Sequence, residues 1–209
     1  MGVSIIIVVA TCIVSFLAFS NQRLVSDLIF YPVAVAEQKQ WYRFFSCGLI
    51  HADITHLAFN MISLYMFGPL VEGTFTEIFG DKTGLILYAL LYITALLASL
   101  IPTYSQHKHD YRYRSLGASG AVSAIVFAGI LLYPDFKIGL LFIPPIIPGY
   151  IFGPLYLIAT VYLSKRGGDN INHSAHLWGS LYGVAYVVVT AFALTDFNPF
   201  KNFLERVFN

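Results

Sequence analysis

Ser115-Leu116-Gly117-Ala118-Ser119-Gly120-Ala121-Val122-Ser123-Ala124 opens the apolar stretch whose reading decides the fold. Residues 116–133 are long enough to cross a bilayer, yet the first turn is built from glycine, alanine and hydroxyl side chains instead of bulky lipid-facing ones. A serine flanked by glycines marks backbone that something must approach closely: a neighbouring helix or a peptide to be cut.

The rest of the chain supplies the setting. Of 209 residues 57% are hydrophobic and only 11% are charged, and the apolar residues come in long blocks. That is the profile of a multi-pass helical membrane protein, an all-α fold in a single domain over 1–209. Spans are expected at roughly 3–20, 54–70, 85–101, 116–133, 148–163 and 173–194. Net charge is near neutral, so nothing points to nucleic acid and none is expected as a partner. Cys12 and Cys47 form neither a disulfide framework nor a metal-ligand spacing, and read as small buried residues.

Residues 3–20 carry no charge, and with no basic stretch before them they read as a retained helix, not a signal peptide. Residues 21–53 interleave charges with aromatic pairs, so they are expected to form a structured loop in the membrane interface, with Trp41 and Tyr42 at the headgroups. A polar turn is expected at 71–84, and Pro102 is expected to stop the third span. The proline-rich stretch from Pro144 to Gly149 predicts an interfacial piece before the fifth span, and Lys165 to Asn170 a flexible loop. The chain is expected to end in a polar tail. No fixed-period repeat supports an inverted-repeat transporter.

Lysines and arginines set the orientation ambiguously. With the amino terminus inside, eight of them fall in outside loops (23, 39, 43, 108, 112, 114, 165 and 166) and four inside (82, 137, 201 and 206). The positive-inside rule points the other way.

Polar groups inside spans are costly and normally face a bundle interior or a watery cavity. His56 and Asn60, spaced i, i+4 on one helix face, lie near the start of the second span. Ser119 starts the fourth and His176 lies near the start of the sixth. These three spans run in the same direction, so the groups fall at one depth and can form one composite site. Small residues recur every four positions at Gly120, Ala124 and Ala128, and again at Ala175, Gly179 and Gly183. Such faces let two helices cross closely and deliver His176 to Ser119. Each feature alone has a plainer reading: Gly-x-Ser-Gly is a short pattern, and a histidine in a span more often bonds a neighbouring helix. His51, His56, His173 and His176 could also serve a metal-handling or transport protein, but no carboxylate or cysteine in the spans completes a zinc site.

Taken in order, these motifs resemble the rhomboid family of intramembrane serine proteases in its minimal six-helix, bacterial-type form. The resemblance rests on Trp41-Tyr42-Arg43-Phe44-Phe45, then His51, His56 and Asn60, then Phe67-Gly68 with Glu72. It continues with Gly117-Ala118-Ser119-Gly120 and with Ala175-His176-Leu177-Trp178-Gly179-Ser180-Leu181-Tyr182-Gly183. There are two departures. Tyr42 stands between Trp41 and Arg43, and Ser123 occupies a position where many members carry an aromatic that packs on the base.

The resemblance implies a dyad of Ser119 as nucleophile and His176 as base, with no aspartate to complete a triad. It implies oxyanion stabilisation by His56, Asn60 and the Ser119 backbone N–H, with Gly117 leaving room for a substrate backbone. Gly120, Gly179 and Gly183 would permit the helix crossing, while Arg43 and His51 would brace the first loop. No cofactor or metal is implied. Partners would be single-span transmembrane substrates and the lipid bilayer, and oligomeric state stays open. The fifth span would serve as a lateral gate and residues 165–170 as a mobile cap. A prokaryotic cytoplasmic membrane, with the site facing the extracytoplasmic side, is the implied location. A pseudoprotease that binds transmembrane clients without cutting them is the rival within the family.

Overall fold

The computed structural model describes residues 2–140, 143–166 and 171–208. The described part is mostly helical. It runs α1 (Val3–Phe19), α2 (Gln22–Leu28), α3 (Pro32–Gln38), α4 (Arg43–Ser46) with a 3-10 turn at Cys47–Leu49, and α5 (Ile54–Phe79). It continues with α6 (Asp81–His107), α7 (Ser119–Leu132), strands β1 (Lys137–Leu140) and β2 (Ile143–Pro148), α8 (Gly149–Arg166), α9 (His173–Leu194) and α10 (Pro199–Phe208). By length and composition α5, α6 and α9 can each cross a membrane, while α1 and α7 are apolar but shorter.

Several elements depart from the sequence expectation. The stretch 71–84 is not a polar turn: α5 runs on to Phe79, and only Gly80, at φ +81°, reverses the chain before α6. The reason is Glu72. Its carboxylate is buried, accepting bonds from Val3 N (2.8 Å), Ser4 N (2.9 Å) and Ser4 Oγ (2.6 Å). A charge read as a solvated turn thus caps the first turn of α1, where helix N–H groups have no partner of their own. Pro102 does not stop α6 either, since the helix passes through it to His107. The mostly helical chain also holds one short antiparallel hairpin of β1 and β2, which pairs Ile138 with Ile147. Its prolines cannot supply helix-interior N–H groups but are tolerated in a two-stranded edge. The tail forms a helix, α10. The first loop is structured as expected, with α2, α3 and α4 occupying it.

The interior is centred on α7, where twelve of fourteen residues are buried. It packs against α5, α6 and α9, and the α7–α9 pair is the most extensive in the molecule. A Cβ added at Gly179 would strike the backbone oxygen of Gly120, and one at Gly183 that of Ala124. The two backbones are therefore in contact, which only glycine at 179 and 183 permits. Gly120 itself faces α6, where a Cβ would meet Ser99. The crossing expected from the small-residue stripes is present, but its clearance is supplied from α9.

Candidate active site

The chain enters α7 through a strained turn. Gly117 has φ +114°, a region only glycine adopts cheaply. A Cβ there would lie 2.6 Å from His56 Cε1 and 2.8 Å from His56 Nε2. The space that a side chain at 117 would need is taken by that imidazole. Two bonds hold the turn: Gly117 N donates to Cys47 O at 2.9 Å, and Ala118 N to His51 Nε2 at 3.4 Å. Ser119 is then the first residue of α7, and its N–H belongs to a helix start.

His51 is buried, and its bonding is self-consistent. Ser15 Oγ donates to Leu49 O at 2.9 Å, so it accepts from His51 Nδ1, also at 2.9 Å, and leaves Nε2 to accept from Ala118. This network uses the neutral imidazole. Burial first, and then the nearby His56, push His51 down to about 3. Beside it, burial raises Cys47 to about 12, an inert thiol.

His176 reaches the same point from α9. Its Nε2 lies 2.7 Å from Ser119 Oγ. Asn172 caps α9, accepting from Ala175 N at 3.0 Å, and its amide bonds Thr103 of α6 at 3.1 Å, which fixes where α9 begins. From α5, Asp53 caps the helix by accepting from His56 N at 2.8 Å. Asn60 Nδ2 donates to His56 O at 2.9 Å, leaving its second N–H and its oxygen for other partners.

These groups line one cavity of about 730 Å³ that contains Ser119, His176, His56 and Asn60. Its walls are Phe59, Val122, Val126, Phe127, Phe152 and Tyr156, with Arg114 and Asp53 also on its lining. His51 stands behind this wall, against the turn that carries Ser119. Arg43 is remote but connected: its guanidinium donates to Ser26 O (2.9 Å) and Ile29 O (2.7 Å). The next residue, Phe30, forms a β-bridge with Ser115, four residues before Ser119. Of residues 165–170, expected as a flexible cap, Lys165 and Arg166 instead close α8, and 167–170 lie outside the described residues.

Some lining residues are not among those singled out in the sequence. Tyr156 comes from α8, and its hydroxyl is 3.3 Å from Ser123 Oγ. An aromatic side chain thus lies beside Ser123 in the cavity, contributed by another helix. Phe152 and Tyr156, spaced i, i+4, could have been read as one face of α8. Asn172 just before an apolar run was a legible cap.

Residues 38–192 match the family description Rhomboid domain, well over half of the chain. The chain belongs to the rhomboid family. RHOMBOID-like protein 12, mitochondrial, of Arabidopsis thaliana is 31% identical over 137 residues, 62% of this chain and 40% of that protein. Putative rhomboid protease YdcA of Bacillus subtilis is 30% identical over 142 residues, 67% of this chain and 62% of that protein. Rhomboid protease GlpG of Haemophilus influenzae is 27% identical over 185 residues, 87% of each chain. The chain therefore spans less than two thirds of the length of the first two curated relatives. With its apolar helices, this rhomboid-family chain is an integral membrane protein.

Proposed function

We propose that this chain is an intramembrane serine endopeptidase that cuts single-span transmembrane substrates near the membrane surface, using Ser119 as nucleophile and His176 as general base. The observation that carries this reading is the 2.7 Å approach of Ser119 Oγ to His176 Nε2 inside a largely apolar cavity. The hydroxyl donates to Nε2, its oxygen attacks the peptide carbonyl, and the imidazole passes the proton to the leaving amine. Water then attacks the acyl-enzyme, activated by the same imidazole. Developing negative charge on the carbonyl oxygen is met by the Ser119 N–H at the start of α7, with His56 and Asn60 as side-chain donors.

Depth follows from the helix lengths. α7 has 14 residues, so it is about 21 Å long, against an apolar core of about 30 Å. At least one end of α7 therefore lies below a membrane surface, and in this reading it is the Ser119 end, reached by water through the cavity. All six helices α1, α5, α6, α7, α8 and α9 cross the bilayer in this reading, within one domain. A transmembrane substrate enters past α8, whose few buried residues (Gly149, Gly153 and Thr160) leave it the most lightly packed wall. The protein resides in a prokaryotic cytoplasmic membrane with the cavity facing outward.

The test is cleavage of a panel of single-span substrates by the purified chain and by Ser119→Ala and His176→Ala. Each variant should retain its thermal transition and lose cleavage by at least about 10³-fold. Cleavage retained by Ser119→Ala overturns the assignment. Binding of the panel with no cut by the unaltered chain favours the pseudoprotease.

A further inference from the structure

We infer that α10 is an interfacial helix that lies in the bilayer surface at the end of the bundle opposite the cavity, and that its occupant there is lipid. α9 starts at the cavity with His176 and ends at Leu194, so Pro199–Phe208 sits at the far face. One side of α10 is committed to the protein. Asn202 Nδ2 donates to Leu132 O at 2.8 Å, and Phe203 packs on the main core. Arg206 reaches Asp135 at 3.4 Å and lies over the Tyr133 ring at 4.5 Å. The neighbouring side carries Phe200, Leu204 and Phe208, spaced i, i+4, i+8 and 51%, 54% and 79% exposed.

Two observations say what covers that stripe. It continues the outer surface of a membrane-crossing helix: Phe200 lies 6.4 Å from Phe192 of α9, itself exposed beside Val189 and Leu194. Its cations are also already matched, Lys201 by Glu205 at 3.8 Å and Arg206 by Asp135. The driving force is therefore apolar burial, with no demand for anionic headgroups. Because α10 grips Leu132 and Tyr133 at the end of α7, its immersion also fixes the depth of α7, and with it that of Ser119.

The test places nitroxide labels on single cysteines at 200, 204, 208, 201 and 205 in a Cys12→Ala background, with the full chain in phosphatidylcholine nanodiscs. Oxygen accessibility should exceed that of a water-soluble nickel chelate at 200, 204 and 208, with the order reversed at 201 and 205. Adding phosphatidylglycerol should change neither. Quenching of a Phe200→Trp variant by brominated lipid, above the Trp41 and Trp178 background, checks the same point without a label. Nickel exceeding oxygen at all five positions overturns the proposal, as does insertion only with phosphatidylglycerol. Spin–spin broadening at 204, with both reagents excluded, overturns it in favour of a second copy of the chain.

Discussion

At the scale of single residues, the candidate site depends on how each polar group's hydrogen bonds are shared out. Asn60 already gives one N–H to His56 O, so it has one N–H left to aim at an oxyanion. Asn60→Ala should lower kcat by about 10²-fold with little change in KM, the signature of a donor used in the transition state. An unchanged kcat in single-turnover cleavage removes Asn60 from that role. His51 makes a pH prediction. Its folded value, about 3, lies below the ordinary 6.5. Between those values the unfolded chain binds a proton that the folded chain refuses. Stability is therefore complete above about 6.5 and falls as pH drops toward 3, by at most about 1.4 kcal/mol per pH unit. Unfolding in detergent should show this slope, and His51→Gln, less stable at neutral pH, should flatten it. Parallel profiles for the two proteins exclude His51 as its source.

At the scale of elements, the contact of α7 with α9 determines the distance between Ser119 and His176. Gly179 is the tightest point, with the Gly120 carbonyl where a side chain would be. Gly179→Val must push the helices apart, costing about 1–3 kcal/mol or more and separating the dyad. Cleavage should fall even where folded protein is recovered, because a displacement of about 1 Å costs about 10²-fold. Normal cleavage by a destabilised Gly179→Val chain shows that the crossing serves stability alone. The small-residue stripes were legible in the sequence because the four-residue period is local. That the clearance comes from α9, with Gly120 facing α6, was not legible, since it depends on which side of α7 meets each neighbour.

At the scale of the whole molecule, Glu72 joins the first helix to the second long one. Its carboxylate satisfies two backbone N–H groups and a hydroxyl of α1, and Tyr88 OH lies 2.8 Å from that same hydroxyl. In a bilayer such groups have no water to turn to. Glu72→Ala should cost at least about 2 kcal/mol and free the start of α1. Faster proteolysis near Val3, with the α7–α9 core still protected, is the expected readout; protection unchanged at Val3 rules out this tie.

The sequence by itself determined the helical membrane architecture, the bounds of α1 and α9 to within a residue, and the four polar groups that now share one cavity. Apolar runs, helical spacing and glycine positions are short-range signals, and those features are written in them. Only the tertiary structure decided that residues 71–84 are helical on both sides of Gly80, that Gly117 faces His56, that Tyr156 enters the cavity and that α10 keeps an apolar side exposed. In each case the outcome turns on a partner distant in the chain: Glu72 on Ser4, Ser123 on Tyr156, Asn202 on Leu132. A buried charge or a bare glycine reads the same as an exposed one until its neighbour is in place.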